Sequence, residues 1–440
     1  MNSCVRLAPF TSEEATRQWL IQLAETAIAA VHPDSLLNAQ LPEKPPGRTV
    51  VVGAGKAAAA MARALELAWE KRARDAGEEV DLTGVVVTRY QHGAACRYID
   101  VLEASHPMPD ALGEQAAKRM LEEVKDLGED DQVIALISGG GSALMTLPAD
   151  GISLADKQAL NKALLRCGAP IREINTVRRH LSAIKGGRLA TAAHPAQVVT
   201  LLISDVPGDV PSLIASGPTL PDNTTSLDAL EILHRHDIDV PEQVSRHLMA
   251  DHRAPQTWNQ GFARDKSIIL ARARDALKAA QLSAEESGLE VRVLGDDLEG
   301  EARELGIAQG RMACKLQSEI THPLLVLSGG ETSVTVRGNG RGGRNVEYLL
   351  GLFDTLKGCD GIYAIAIDTD GIDGSEDNAG ALIGPECWQR AKAFPLSAQD
   401  YLARNDAYRF FEALGNLVVT GPTRTNVNDF RAILILPNPS

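Results

Sequence analysis

The chain has 440 residues, which is too long for one ordinary hydrophobic core, so its length predicts two domains. It carries 44 basic and 58 acidic residues, and the formal charge of −14 argues against a nucleic-acid partner and against acidic membranes. Six scattered cysteines without a CxxC pair indicate a reduced, cytoplasmic setting and argue against a zinc site. We expect a soluble protein, because we find no secretion signal and no apolar stretch of membrane-spanning length.

The first half alternates β-branched runs with helical patterns, which is typical of an α/β fold. Residues 11–14 have the composition of the cap of a helix that continues to about residue 31. Continuous apolar runs such as VIALI and VVTLLI predict strands buried on both faces, and therefore a largely parallel sheet. The predicted strands are 49–53, 84–87, 98–102, 133–137 and 198–204.

The polar, poorly periodic stretch at about 250–265 predicts a domain boundary. We therefore expect domains at 1–255 and 265–440, with a helical segment at 227–248 closing the first. The predicted strands of the second half are 267–270, 290–294, 324–327, 333–336, 362–367, 418–420 and 433–436.

The first predicted strand ends in Gly53-Ala54-Gly55-Lys56-Ala57-Ala58, whose GxGxxA spacing is that of a dinucleotide-binding turn. Two details weaken this interpretation. The second strand is followed by Thr88-Arg89 instead of a ribose-binding acid, and Lys56 occupies the space that a pyrophosphate would cross. A lysine beside bare backbone at a helix start suits a phosphate or carboxylate instead.

A second glycine-rich loop follows the strand at 133–137. Three glycines flanked by hydroxyls predict a phosphate-binding loop, although a tight strand-to-helix turn needs the same small residues. The order GGGSA does not fit the GxSxG nucleophile elbow, which argues against acyl transfer. The candidate residues are Ser138, Gly139, Gly140, Gly141 and Ser142.

The segment 175–188 predicts one basic helix that contains Arg178, Arg179 and Lys185 and stops at Gly186-Gly187, and the strand after it ends at Asp205. A charged helix face is usually only solvated, so this segment alone is a weak signal. Carboxylates beside glycine-rich loops are what Mg²⁺ requires, although aspartates also cap turns. Asp205 is a better candidate than Asp209, because it stands directly at the strand end.

The stretch 324–347 is the most informative one in the chain. A buried strand ends in Ser328-Gly329-Gly330-Glu331, and an alternating strand at 332–336 leads into a glycine- and arginine-rich turn. Arg344 and Asn345 are predicted to stand at a helix N-terminus, which favours an anion. The alternative is a mobile loop kept soluble by its arginines, and we expect Arg337 and Arg341 to be ordinary loop charges.

The acidic stretch 368–377 resembles an EF-hand loop, but position twelve is Ala379 and a buried strand precedes it, which argues against calcium. One or two of its acids, Asp370 in particular, could hold Mg²⁺, and the others would cap turns.

In this order, the motifs resemble those of the glycerate 2-kinase family, and the second half resembles the family's MOFRL domain. Some members of the family are labelled hydroxypyruvate reductase and tied to tartrate degradation. Val210 stands where the family often has a second acid, so we expect no acid pair there. The matching motifs are 53–56, 138–144, 204–209, 214–219, 328–331, 342–345, 368–374 and 425–429.

The resemblance implies an N-terminal Rossmann-like domain, whose largely parallel sheet is flanked by helices, and a smaller C-terminal α/β domain with a mixed sheet. It also implies an active site in the cleft between the domains, ATP and Mg²⁺ as cofactors, and D-glycerate as substrate. Lys56 and Arg344 match the family's invariant lysine and arginine. A homodimer is left open.

These implications give a hypothesis for each residue. Lys56 and Arg344 would stabilise the transferring phosphoryl group or bind the glycerate carboxylate. Residues 139–142 and 329–331, with Asn345, would contact the ATP phosphates. Asp205, with Glu331 or Asp370, would hold Mg²⁺ or accept the 2-hydroxyl proton. The alternatives are an NAD(P)H-dependent hydroxypyruvate reductase and a non-catalytic sensor of a sugar acid or nucleotide.

Overall fold

The structure, a computed structural model, describes residues 10, 12–250, 260–394 and 396–438. The chain forms two compact units: a terminal unit, Met1–His32 with Arg272–Ser440, and a central unit, Pro33–Ala271. These units do not coincide with the expected ranges 1–255 and 265–440. The first helix contacts elements of the terminal unit, and the strand at 266–271 pairs within the sheet of the central unit. Residues 251–259 of the expected boundary lie outside the described part.

The central unit is built on a sheet of six parallel strands in the order β3-β2-β1-β4-β5-β6. β1 and β4 are buried along their whole length, as continuous apolar runs predict. The predicted largely parallel sheet is confirmed. Its strands are β1 (Thr49–Ala54), β2 (Thr83–Arg89), β3 (Ile99–Ala104), β4 (Gln132–Ile137), β5 (Gln197–Ile203) and β6 (Lys266–Ala271).

Helices α3, α4, α5 and α8 pack against this sheet, whereas α6, α7, α9 and α10 (all given below) pack on one another in a separate apolar cluster. The helical segment predicted at 227–248 is two helices, because a turn and Pro241 interrupt it. The helices are α2 (Pro33–Leu36), α3 (Ala58–Ala76), α4 (Ala111–Glu123), α5 (Gly141–Leu144), α6 (Leu154–Arg166), α7 (Ile171–His180), α8 (Arg188–Ala193), α9 (Ser226–Arg235) and α10 (Glu242–Met249).

The terminal unit contains a mixed sheet in the order β13-β12-β11-β14-β9-β7, in which only β7 and β9 pair in parallel. The alternating strand predicted at 332–336 is wrong beyond Ser333, and Val336 is 73% exposed. β12 was not predicted, because its four residues carry little pattern. The strands are β7 (Glu290–Val293), β8 (Gly300–Glu301), β9 (Leu324–Gly330), β10 (Thr332–Ser333), β11 (Ile362–Asp368), β12 (Gly380–Ile383), β13 (Leu417–Val418) and β14 (Asp429–Ile435).

The helices of the terminal unit include α1, whose N-cap is Ser12, as predicted. α1 packs against α11, and the hydroxyl of Thr425 donates to the carbonyl of Val31 at 2.7 Å. No helix in the described ranges is long and apolar enough to cross a membrane. The helices are α1 (Glu13–Ala30), α11 (Ala273–Glu286), α12 (Ala302–Gln317), α13 (Arg344–Leu356), α14 (Pro385–Ala393), α15 (Ala398–Ala403) and α16 (Ala407–Ala413).

Candidate functional site

The central sheet has a topological switch point between β1 and β4. The chain leaves β1 towards β2 on one side and leaves β4 towards β5 on the other. In open α/β sheets, ligands bind outside the carboxyl ends of the strands at such a point. The loops that follow these two strands contain Lys56 and residues 138–142, so the fold brings together two motifs that the sequence predicts to bind anions.

The two loops are joined by hydrogen bonds. Lys56 N donates to the carbonyl of Gly139 at 2.8 Å, and Ala57 N donates to Ser138 Oγ at 3.0 Å. Gly55 has φ +142°, and a Cβ at this position would lie 2.1 Å from Ser138 Oγ, so the close approach requires glycine. The hydroxyl of Ser138, predicted as a phosphate ligand, is therefore buried and holds the two loops together.

Ser142 lies beside a segment of unusual backbone. Its hydroxyl is 2.7 Å from that of Ser216, which donates to Asn175 Oδ1 at 3.0 Å. Ala215, Ser216 and Gly217 have consecutive positive φ angles of 51°, 61° and 56°. Two non-glycine residues in this region carry a conformational cost, and such strain is found mainly at functional sites.

Asp205 follows β5 and is half-buried, which agrees with its predicted place at a strand end. Asp209 lies in a short 3₁₀ turn, Pro207–Asp209, with φ +53°. Arg178 and Arg179 are in α7, but α7 ends at His180, so the basic helix predicted to continue through Lys185 is wrong. The reason is a turn at residues 181–187 that leads into α8.

In the terminal unit, strand register brings three acids together. Asp429, the first residue of β14, pairs with Asp368 at the end of β11 and with Gly330 at the end of β9. Because β14 is antiparallel to both neighbours, its start lies between their ends. Glu331 directly follows Gly330, and all three carboxylates reach the same guanidinium.

That guanidinium belongs to Arg344, the first residue of α13, as predicted. Nε donates to Asp429 Oδ1 at 2.7 Å, Nη1 to Glu331 Oε1 at 3.0 Å, and Nη2 to Asp368 Oδ2 at 2.8 Å. Burial lowers the pKa of Arg344, but the three carboxylates outweigh it and raise the pKa well above its usual value. The guanidinium is held rigidly and stays charged.

The N-terminus of α13 is already capped by a carboxylate of the protein. Asn345 N donates to Asp373 Oδ1 at 3.0 Å and Val346 N to Asp373 Oδ2 at 2.9 Å. Gly343 allows this, since a Cβ there would lie 2.3 Å from Asp373 Oδ1. Burial raises the pKa of Asp373 to about 6, although the two N–H donors oppose the rise. The anion expected at this helix start is therefore an internal one.

The remaining predicted residues of the terminal unit are mostly buried. Asn345 is fully buried and its side chain donates to Asp429 Oδ1 at 2.8 Å. Gly329 N donates to the carbonyl of Gly295 at 2.9 Å. Asp370 is 1% exposed, and its Oδ1 accepts from Ile372 N at 2.8 Å, so it closes a turn.

The predicted metal ligands are divided between the two units. Asp205 lies in the central unit, and Glu331 and Asp370 lie in the terminal unit. Among the described residues, no three His, Cys, Asp or Glu side chains are grouped as metal ligands. A Mg²⁺ ion that arrives with a nucleotide needs only one or two carboxylates, because phosphate oxygens and water complete its shell.

Sequence reasoning missed Asp368 and Asp429 as partners of Arg344, although both stand in motifs that it identified. The available signal was an acid at the end of a buried apolar strand, where an unpaired charge is costly. This pattern predicts a cationic partner without saying which one.

Comparison with known proteins identifies both halves of the chain. Residues 19–249 match a domain of unknown function, DUF4147, and residues 324–429 match the MOFRL family. The chain is 49% identical to a putative hydroxypyruvate reductase of Agrobacterium vitis, over 96% of this chain and 95% of that protein. It is 38% identical to a D-glycerate 2-kinase of Thermotoga maritima, over 96% of this chain and 99% of that protein.

The crystal structure of a glycerate kinase from Thermotoga maritima has the same fold. It superposes with a TM-score of 0.84 at 37% identity, covering 96% of this chain and all of that one. The structural match covers 96% of the chain, and the MOFRL match at 324–429 falls in the second half, which resembles that domain. The chain therefore belongs to the glycerate 2-kinase family with a MOFRL-type carboxyl-terminal domain.

Proposed function

We propose that the protein is an ATP-dependent glycerate 2-kinase, which transfers the γ-phosphoryl group of ATP to the 2-hydroxyl of D-glycerate and gives 2-phospho-D-glycerate. The observation that carries this proposal is the likeness to a protein named D-glycerate 2-kinase along 96% of the chain. The geometry agrees with the chemistry. Phosphoryl transfer needs positioned cations and backbone donors more than a covalent nucleophile.

The proposal gives Lys56 and Arg344 the charge-stabilising role. Lys56 stands at the switch point of the central sheet, beside the glycine loop. Three carboxylates fix Arg344, so its side chain loses little entropy when it binds an anionic ligand. Gly139 to Ser142 would contact the ATP phosphates, and so would residues 329–331, although the N–H of Gly329 already donates to the carbonyl of Gly295.

Magnesium enters this scheme as part of the substrate, Mg-ATP. Asp205, Glu331 and Asp370 are the carboxylates proposed to hold it, and Asp205 is also proposed to accept the proton of the 2-hydroxyl. Asp205 is half-buried at a strand end, which suits a proton acceptor better than the turn-closing Asp370 does.

The test is to incubate the purified protein with Mg-ATP and D-glycerate and to follow ADP release. The product is identified by NMR, which separates 2-phosphoglycerate from 3-phosphoglycerate. Lys56→Ala should lower turnover on the order of 10³-fold, because it removes a cation that stabilises the transition state. Normal turnover in Lys56→Ala would remove this lysine from the mechanism.

The second candidate is an NAD(P)H-dependent hydroxypyruvate reductase, which the name of the Agrobacterium vitis relative and the GxGxxA turn favour. Against it, β2 ends in Thr88-Arg89, and the hydroxyl of Thr88 donates to the carbonyl of Lys56 at 3.3 Å instead of facing a ribose. Oxidation of NADH by hydroxypyruvate without ADP formation in the kinase assay would select the reductase. Binding without either reaction would select a sensor.

A further inference from the structure

A small cavity in the central unit has a wall of positive charge. Its volume is about 40 Å³, which is room for a few water-sized groups. Ser142 and Thr146 line it from the end of α5 and the turn that follows, next to the glycine loop. Apolar side chains of α6, α7 and Leu181 close the other side. The charged residues in its lining are Lys157, Arg178 and Lys185.

Within the described ranges, these three basic residues have no acidic partner. Lys157 is 9% exposed, and its Nζ has no hydrogen-bond partner in the described part of the chain. Lys185 is 1% exposed and donates to the carbonyl of Met145. Arg178 Nε donates to Asn161 Oδ1 at 2.8 Å. None of the three forms an ion pair with a described carboxylate within 4 Å.

The adjacent arginine shows how the fold treats a structural cation. Arg179 Nε lies 2.7 Å from Asp222 Oδ2, and both side chains are buried. Buried charges are normally paired in this way, because an isolated one costs several kcal/mol of solvation free energy. Arg179 is paired with an acid in this way, whereas the three basic residues of the cavity are not.

The charges that face Lys157 are nearly all of its own sign. Burial, followed by Arg178 and Arg188, lowers the pKa of Lys157 to about 7, and only Glu114 opposes them. Burial, with Lys157 and Arg178, lowers the pKa of Lys185 well below its usual value. An anion in the cavity would reverse both effects.

We propose that this cavity binds one oxyanion group, a carboxylate or a phosphoryl group, whose principal ligand is Lys157 Nζ. The volume fits the charged end of a ligand, not a whole nucleotide. Ser142 lines the cavity and belongs to the loop at the switch point, so the cavity adjoins the proposed site. The identity of the occupant, the carboxylate of glycerate or a phosphate of ATP, rests on the proposed function; the anion site does not.

The test measures the unfolding temperature of the full chain against increasing D-glycerate and, separately, inorganic phosphate, without nucleotide. The wild type should gain stability saturably with one or both anions. Lys157→Met should unfold at a higher temperature than the wild type without anion and should show an apparent dissociation constant at least about tenfold higher. Lys162→Met is the matched control, because Lys162 is exposed on the same helix and should respond as the wild type does.

A second readout needs no variant. Anion binding near pH 8 should take up protons, because the anion restores the charge of Lys157. Calorimetry in two buffers of different ionisation enthalpy measures this uptake. Binding heat without proton uptake would contradict the role of Lys157.

The outcomes separate the two proposals. A response only to D-glycerate assigns the cavity to a carboxylate, and a response only to phosphate assigns it to a phosphoryl group. No response to either, or an equal response in Lys157→Met, overturns the anion site even if the protein releases ADP. An anion response in a protein that releases no ADP keeps the cavity and refutes the kinase.

Discussion

Arg344 of the terminal unit and the cavity residues of the central unit are two opposite ways of burying positive charge. In the terminal unit, Arg344 has a carboxylate on each of three donor positions. In the central unit, Lys157, Arg178 and Lys185 share one cavity with no described acid in ion-pair range. The charge of Arg344 is compensated without a ligand, whereas the charges in the cavity are compensated only when an anion binds.

This difference separates two ways of preparing positive charge. An arginine such as Arg344 is held rigidly by its carboxylates, which use three of its five N–H groups and leave two that can donate to an anion. An unpaired lysine is costly in the free protein, and an incoming anion recovers that cost as binding free energy. The terminal unit therefore keeps its stability and the central unit exchanges stability for affinity.

The largest effect is expected from Arg344→Ala, which removes the guanidinium that the three carboxylates bind. Asp368 and Asp429 are buried and both bind Arg344, so its loss should destabilise the fold by about 3–5 kcal/mol, although Arg431 still pairs with Asp429. Turnover should fall on the order of 10³-fold. Urea unfolding and ADP release measure the two effects, and Arg344→Lys, which keeps the charge without the planar fork, should lie between. An unchanged unfolding midpoint would mean that the three acids do not depend on Arg344.

Lys157→Met tests whether the buried lysine of the cavity lowers the stability of the anion-free protein. Replacing the buried cation should stabilise the anion-free protein by up to about 4 kcal/mol. The pKa of Lys157 is about 7 in the folded protein and near 10.5 when unfolded, so the unfolded chain binds more protons between these values. Wild-type stability should therefore rise with pH across this window, and the variant should show a smaller rise. Equal slopes in urea midpoints would contradict the shifted pKa.

Asp373→Asn tests whether burying the ionised carboxyl that caps α13 lowers the free energy of unfolding. The folded pKa is raised to about 6 from 3.8, so the stability linked to the carboxyl is fully present below pH 3.8 and is lost as pH rises through 6. Relative to Asp373→Asn, the wild type should lose on the order of 2 kcal/mol between pH 4 and 7. Urea midpoints at several pH values measure the difference. A constant difference would show that folding does not raise the pKa of this carboxyl.

The smallest effect is expected from Arg341→Ala, the control for Arg344 in the same loop region. Arg341 pairs with Glu376 at the surface and stacks on Tyr408 at 4.5 Å. Exposed pairs contribute little. Turnover and unfolding midpoint should match the wild type, and a large loss of turnover would mean that the loop, not Arg344 alone, serves the reaction.

Much of the fold follows from local pattern. Continuous apolar runs located the strands of the central sheet, Ser12 located the start of α1, and the glycine-rich turn located the start of α13 at Arg344. These signals act within a few residues, where sequence determines backbone geometry directly.

The partners of Arg344 were beyond such reasoning. They lie 13, 24 and 85 residues away along the chain, and only the register of three strands makes them neighbours. The unusual position of Lys157, by contrast, could be recognised from the sequence. It precedes Leu160 and Leu164 at helical spacing, so a lysine on the apolar face of α6 was visible in the sequence.

The division of the chain also has a consequence for biosynthesis. The residues of the central unit are contiguous, so this unit can fold as soon as β6 has left the ribosome. α1 precedes the central unit in the chain, whereas its partner α11 begins at Ala273, after that unit, and β14 follows Thr425. The apolar face of α1 therefore lacks its packing partner α11 until the whole central unit has been synthesised.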